Sequence, residues 1–152
     1  MANLDSVEDI LAFAISEEEG AYQFYTTLAS RVSDAALSKT LLNFAEEELG
    51  HKRKLQRVRD GERVLFEKGK PVTDMKIADY LVEVEPSADM DYQAALILAM
   101  KKEKAAFRLY TDFAEQCTDE GLREMFLGLA QEEAKHKLRF EVEYDERILE
   151  EH

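Results

Sequence analysis

The chain has 152 residues, which is ordinary for one domain and short for two separate cores. Its formal net charge of −13 repels the phosphates of nucleic acids and of anionic lipids, so we expect neither as a partner. The longest apolar run, residues 94–100, is too short to span a bilayer, and the acidic N-terminus does not resemble an export signal. The single cysteine, Cys117, excludes an internal disulfide and a four-cysteine metal site within this chain. A free, buried thiol fits a reducing cytoplasm, which is the expected location.

The first part of the chain predicts a hairpin of two amphipathic helices, over about 5–32 and about 34–61. Gly61 suits the end of the second helix. Candidate N-caps are Asp5 or Ser6 for the first helix and Ser33 or Asp34 for the second. The apolar stripes contain Val7, Leu11, Ala14, Ala21, Tyr25, Leu28 and Val32, followed by Leu37, Leu41, Phe44, Leu55 and Val58.

A second hairpin follows a long connection over about 62–88, in which the periodicity weakens and a short helix is expected near 74–82. Helical periodicity returns over about 89–117 and about 119–149. The second pair of stripes contains Tyr92, Leu96, Ala99, Ala106, Tyr110 and Phe113, followed by Leu122, Phe126, Leu129, Phe140 and Tyr144. The sequence therefore predicts an all-α four-helix bundle, made of two hairpins joined by a long crossover.

An internal repeat relates the two hairpins. Residues 14–29, AISEEEGAYQFYTTLA, align without a gap with residues 99–114, AMKKEKAAFRLYTDFA, at an offset of 85. At the same offset a Glu-x-x-His motif recurs, as Glu48 with His51 and as Glu133 with His136. Two of the three histidines in the chain thus stand at equivalent places, which chance explains poorly.

Six polar residues fill the gaps in the apolar stripes and should point inward: Glu18, Glu48, His51, Glu103, Glu133 and His136. Glu18 lies about 15 residues before the turn near residue 33 and Glu48 about 15 after it, so at ~1.5 Å per residue both reach one level. The same relation holds for Glu103 and Glu133 about residue 118. Residues i and i+3 share a helix face, so each Glu-x-x-His can converge on one point.

The charge of these six residues predicts a metal centre. Four carboxylates in a core cannot remain bare anions, because burial and mutual repulsion would raise their pKa values or unfold the site. Four glutamates and two neutral imidazoles match two divalent cations, and oxygen-rich ligation with one nitrogen per metal favours iron or manganese. We predict two iron ions (Fe2+/Fe3+), with manganese or a mixed pair as an alternative. A polar core network without metal is the simpler alternative.

On these motifs the chain resembles the ferritin-like di-iron carboxylate superfamily, and within it the rubrerythrin-type and bacterioferritin-type proteins. The resemblance implies one ferritin-like di-iron domain over residues 1–152. It implies Glu18 and Glu103 as terminal ligands, Glu48 and Glu133 as bridging ligands, and His51 and His136 as ligands of one iron each. It further implies that Tyr25 and Tyr110, two turns beyond Glu18 and Glu103, place hydroxyls next to the ligands.

The chain departs from these families at three points. Rubrerythrins carry a further glutamate three residues after the third-helix ligand, where this chain has Ala106. They also carry a rubredoxin domain with four cysteines, so for this chain we expect electrons from a separate donor protein. Bacterioferritins have a haem-binding methionine directly after the second-helix glutamate, where this chain has Leu49, so no haem is expected.

Three functions fit this resemblance. The favoured one is a rubrerythrin-type oxidoreductase that reduces hydrogen peroxide or dioxygen under oxidative stress, as a homodimer or larger homo-oligomer. The alternative is a ferroxidase that serves iron storage or iron handling. The third is a structural or sensing module that only holds iron. No fifth helix is evident to line the channels of a storage cage, which favours the oxidoreductase.

Overall fold

The structure, a computed structural model, describes residues 6–61, 79–82 and 91–146. This part of the chain contains four helices of 25 residues each: α1 (Val7–Arg31), α2 (Ala35–Arg59), α3 (Tyr92–Gln116) and α4 (Glu120–Tyr144). Every boundary of α3 and α4 lies 85 residues after the matching boundary of α1 and α2. The repeat in the sequence is therefore also a repeat in the structure.

A side chain caps the first turn of every helix. The four caps are Ser6, Asp34, Asp91 and Asp119, and each accepts a hydrogen bond from the backbone N–H three residues later, at 3.2, 3.0, 2.7 and 2.9 Å respectively. The N–H groups of a first helical turn have no partner within the helix, so such side chains fix where a helix begins. The caps keep the same register in the two hairpins.

The described residues form two compact units, one containing α1 and α2 and the other containing residues 79–82, α3 and α4. In the first unit the turn is held by Ser38, whose hydroxyl donates to the Ala29 carbonyl at 2.9 Å. Its fully buried large side chains are Ile10, Leu11, Tyr25, Leu41 and Leu55. These side chains come from the predicted stripes, with Ile10 added.

In the second unit the turn is held by Arg123, whose guanidinium donates to the Cys117 carbonyl at 2.8 Å. The rings of Phe113 and Phe126 pack edge to face, with their centroids 4.4 Å apart. The fully buried large side chains are Leu96, Leu109, Tyr110, Phe113, Phe126 and Phe140. Cys117 is buried, as predicted, and its thiol donates to the Phe113 carbonyl at 3.3 Å.

The predicted helices are confirmed, with starts one to three residues later than expected and with the ends of α1, α2 and α3 one or two residues earlier. The expected end of α4 at residue 149 lies outside the described residues. Placing Tyr144 on the inward stripe of α4 was wrong, because Glu143 is the buried residue there and Tyr144 is half-buried. The predicted crossover over 62–88 and its short helix near 74–82 lie outside the described residues, apart from residues 79–82. Assignment of residues 1–152 to one domain stays a prediction. Among the described residues, no helix is long and apolar enough to cross a membrane.

Candidate metal centre

The α1–α2 hairpin brings together three of the predicted ligand residues, which we call the first triad: Glu18 of α1 with Glu48 and His51 of α2. The Nδ1 atom of His51 lies 3.5 Å from Oε2 of Glu18 and 3.7 Å from Oε1 of Glu48. One ligand atom from each residue lies within 4.8 Å of the others. All three side chains are buried, at 2, 2 and 3% exposure.

The α3–α4 hairpin repeats this arrangement with Glu103 of α3 and with Glu133 and His136 of α4, which we call the second triad. The Nδ1 atom of His136 lies 3.7 Å from Oε1 of Glu103. Ligand atoms of the three residues again lie within 4.8 Å of one another. Exposure is 1, 1 and 2%, so the second triad is as buried as the first.

The level of each triad follows from the short turn between its helices. Glu18 lies 16 residues before the cap Asp34, and Glu48 follows that cap by 14, so the two glutamates lie at similar heights on antiparallel helices. His51 lies three residues after Glu48 in the sequence, which puts both side chains on the face of α2 that packs against α1. The predicted convergence within each hairpin is therefore confirmed.

The donor set of each triad fits a divalent cation. Two carboxylates and one imidazole supply oxygen-rich ligation with one nitrogen, which suits iron or manganese better than a metal that prefers thiolates. Two carboxylates held this close in a buried site repel each other, and a bound cation removes that repulsion. The residues present therefore fit a metal in each hairpin on chemical grounds.

Comparison with known proteins decides the family. The model of the rubrerythrin family matches residues 9–144, which is most of the chain and includes both triads. The chain belongs to the rubrerythrin family. No match is found among curated proteins.

Two solved structures are similar to this rubrerythrin family member. A protein from Thermotoga maritima, assigned as a ferritin-like diiron-carboxylate protein, matches with a TM-score of 0.80 and 21% identity over 97% of this chain and 99% of its own. A hypothetical protein from Pyrococcus furiosus matches with a TM-score of 0.70 and 27% identity, over 91% of this chain and 87% of its own. The fold is thus a ferritin-like four-helix bundle, as predicted.

The two tyrosines that the family resemblance singled out are core residues. Tyr25 and Tyr110 are 0 and 1% exposed. The Tyr25 ring meets Phe44 edge to face at 6.4 Å between centroids, and the Tyr110 ring lies 5.8 Å from Phe126. Packing alone accounts for this placement, and the role of their hydroxyls next to the ligands stays a prediction.

Glu19 follows the buried Glu18 directly in the sequence, but its carboxylate lies outside the core. Glu19 accepts hydrogen bonds from Lys52 at 2.6 Å and from Gln23 at 2.8 Å. The bond from Lys52, followed by that from Gln23, lowers the pKa of the Glu19 carboxyl below its usual range. Glu19 is therefore held outside the core by a cation and an amide.

The sequence did not indicate two buried polar contacts in the unit that contains α3 and α4. Glu143 is 3% exposed and accepts a hydrogen bond from the Tyr92 hydroxyl at 3.3 Å. It lies seven residues after His136, so extending the inward stripe of α4 by two turns would have found it. Tyr80 is 3% exposed and donates to Asp112 at 2.7 Å. No periodic signal in the crossover marked Tyr80.

Proposed function

We propose that this rubrerythrin family member is a non-haem di-iron oxidoreductase, in which the two triads act together as one centre for two iron ions. It reduces hydrogen peroxide or dioxygen with electrons from a separate donor protein, in the cytoplasm. The observation that carries the proposal is the repetition of one buried Glu, Glu-x-x-His triad in both hairpins. A polar core network without metal gives no reason for the same ligand set to occur twice.

Each ligand has a proposed role taken from the family pattern. Glu18 and Glu103 would be terminal ligands, Glu48 and Glu133 would be the carboxylates shared by the two ions, and His51 and His136 would each hold one ion. Bound iron would supply one electron per ion, and the reduction of one hydrogen peroxide to two waters takes two electrons and two protons. Two metal ions in one centre therefore match the chemistry of one peroxide.

The protein's own contribution is to hold the ligands and exclude water. Both triads are at most 3% exposed, so few waters compete with the ligands for a cation. Tyr25 and Tyr110 lie seven residues, about two helical turns, after Glu18 and Glu103 on the same helices. In the proposal their hydroxyls donate hydrogen bonds to ligand carboxylates and so fix the orientation of these carboxylates.

The same ligands support a second candidate, a ferroxidase that oxidises Fe(II) for storage or transfer. The net charge of −13 favours it, because an acidic surface concentrates cations near the protein. The assembly separates the two candidates: a homodimer or small homo-oligomer favours the oxidoreductase, and a large shell favours storage.

The first experiment measures the metal content of anaerobically purified protein, then mixes the reduced protein with hydrogen peroxide or with dioxygen in a stopped-flow spectrometer. The proposal expects two irons per chain and faster oxidation by peroxide. Faster oxidation by dioxygen, with further Fe(II) consumed catalytically, would favour the ferroxidase. Absence of bound metal would refute both.

Paired variants locate the centre. Glu48→Ala with Glu133→Ala removes one carboxylate from each triad and should abolish metal binding and turnover. The matched control is Glu47→Ala with Glu132→Ala, which makes the same change one position earlier on the same helices, at side chains outside the core. Retained metal in the first pair, or equal loss in the control, would contradict the assignment.

A further inference from the structure

The outward face of α3 carries a basic patch, which we define as Lys101, Lys104 and Arg108. All three side chains are exposed. Their spacing of three and four residues places them on one side of the helix, over a length of about 10 Å at ~1.5 Å per residue. Arg53, Lys54 and Arg57 form another group of exposed cations, on α2, and the basic patch differs from that group in having an exposed aromatic ring, Phe107, at its edge.

The stability of α3 does not explain the basic patch. Lys104 has like charges at i−3 and i+4, Lys101 and Arg108, which destabilises a helix. The one opposite charge at this spacing is Asp112, four residues after Arg108, and its carboxylate accepts the hydrogen bond of Tyr80. The three residues lie eight or more positions from either end of α3, too far for the helix dipole to favour them. Within residues 6–61, 79–82 and 91–146, no carboxylate forms an ion pair with them.

The repeat offers an internal comparison. At the offset of 85, the positions of the basic patch correspond on α1 to Ser16, Glu19 and Gln23. Both helices supply one buried glutamate to a triad, so the site chemistry requires the inward residues but not the outward ones. The basic charge of α3 is thus a property that only one half of the repeat has acquired.

An exposed aromatic ring lies beside the basic patch. Phe107 follows Lys104 by three residues, which places these two side chains next to each other on α3, and it is 38% exposed. Water contact with a phenyl ring is unfavourable, and aromatic and arginine side chains are enriched where proteins bind each other. The exposed ring at the Lys104 edge of the basic patch adds apolar area to a cationic surface, a combination that suits an acidic protein partner.

We propose that the basic patch with Phe107 is the docking surface for a small acidic electron-transfer protein, an inference that rests on the proposed oxidoreductase function. The reaction needs two electrons per peroxide, and the single cysteine gives this chain no four-cysteine iron site of its own. Electron carriers bind through small, transient, charge-steered contacts. A one-electron carrier would dock twice for each peroxide reduced.

The position of the surface suits this role. Glu103, a ligand of the second triad, lies between Lys102 and Lys104 in the sequence and faces the opposite side of α3. The docking surface and the ligand are therefore separated by about the width of one helix, ~10 Å. An acidic carrier on this face would approach the metal centre without entering the core.

The test uses a small acidic ferredoxin as the probe and two variants of equal charge. Lys101→Gln, Lys104→Gln and Arg108→Gln together neutralise the basic patch. Arg53→Gln, Lys54→Gln and Arg57→Gln neutralise three exposed cations on α2 and change the net charge by the same amount. At low salt we expect the first variant to slow peroxide-dependent oxidation of reduced ferredoxin on the order of tenfold, and the second to change it little.

Further readouts separate docking from damage to the site. Reduced methyl viologen, which needs no docking surface, should support equal turnover by wild type and both variants. Oxidised ferredoxin titrated by calorimetry into the oxidised protein as purified should bind the α3 variant more weakly, and 0.5 M salt should remove the difference because it screens exposed charges. Phe107→Ala should weaken binding at low and high salt alike.

Other outcomes would overturn the docking proposal. An equal decrease in the rate of ferredoxin oxidation for the α2 and α3 variants would mean that the two proteins attract each other through their overall charge and not through the basic patch. Slower turnover with methyl viologen would place the effect on the metal centre. A change of oligomeric state in the α3 variant, measured by analytical ultracentrifugation, would assign the face to a second copy of the chain. If peroxide fails to oxidise the reduced protein but ferredoxin still binds the basic patch, the proposed function fails and the docking surface stands.

Discussion

Buried carboxylates are the residues at which this core departs from an apolar one. Four of them belong to the triads, where each lies near a histidine. A fifth, Glu143, has the Tyr92 hydroxyl as a hydrogen-bond donor. The equivalent of Glu143 in the first hairpin is Val58, which is also buried. The repeat therefore preserves the carboxylates of the triads and not this one, which marks Glu143 as a local hydrogen-bonded contact.

Tyr80 provides a prediction at this scale. Its burial, followed by its hydrogen bond to the Asp112 carboxylate, raises the pKa of the Tyr80 hydroxyl far above the ordinary value of 10.0. The unfolded chain therefore loses this proton at a lower pH than the folded chain. The contribution of Tyr80 to stability is complete below about pH 10 and is lost as the pH rises through the folded-state pKa. We expect Tyr80→Phe to reduce the loss of stability between pH 9 and 11, measured by urea unfolding.

Asp112→Asn is the matched control for Tyr80→Phe. It removes the negative acceptor and leaves the ring buried, so it should remove only part of the alkaline loss. At pH 7 the Tyr80→Phe substitution should cost about 1 kcal/mol, the usual net contribution of one hydrogen bond. An alkaline loss in Tyr80→Phe as steep as in wild type would show that other groups cause it.

At the scale of elements, the apolar periodicity predicted where the four helices lie, and it predicted their first and last residues less accurately. Asp34 and Ser6 were among the expected caps, and both accept the hydrogen bond that starts a helix. The predicted end of α2 at Gly61 was two residues too late, since the helix ends at Arg59. Tyr80 could not be placed from sequence, since its partner Asp112 lies 32 residues away and no local pattern links them.

Replacing a glycine by alanine should change the free energy of unfolding in opposite directions at Gly128, within α4, and at Gly61, just after the end of α2. Gly128 lies within α4, and a Cβ added there would meet no atom within 4 Å, so Gly128→Ala should stabilise the protein by about 0.5–1 kcal/mol. Gly61 follows α2 with φ of 80°, a conformation that costs other residues about 1 kcal/mol or more, so Gly61→Ala should destabilise. Chemical denaturation of both variants measures the two changes, and the same sign for both would contradict the backbone argument.

Across the whole molecule, the repeat distinguishes inward positions, where the two hairpins have the same triad residues, from outward positions, where they differ. The inward positions of both hairpins keep the same glutamates, histidines and tyrosines at an offset of 85, which is why the sequence alone predicted that all six polar residues of the triads point inward. The outward positions differ, with Glu19 on α1 replaced by Lys104 on α3. An exposed position accepts an acidic or a basic side chain equally well, so the helical pattern does not predict which of the two stands there.

Metal binding should govern the stability of the whole molecule. Within each triad the buried carboxylates repel each other without a cation, and a metal that binds only the folded chain stabilises it by about 2.7 kcal/mol at a concentration 100 times Kd. We expect thermal unfolding of the metal-free protein to shift to higher temperature on addition of Mn(II), which avoids oxidation during heating.

The double variant Glu48→Gln with Glu133→Gln should be more stable than wild type without metal and should gain little stability from Mn(II). Two neutral amides relieve the repulsion, so the metal-free variant should unfold at a higher temperature than metal-free wild type, and Mn(II) should shift it little. Glu47→Gln with Glu132→Gln, one residue earlier on each helix, should keep the full shift of wild type. If the Glu48→Gln and Glu133→Gln substitutions lower the stability of the metal-free protein, hydrogen bonds made by these carboxylates outweigh their repulsion. The buried charge would then not be the reason that the folded chain needs a cation.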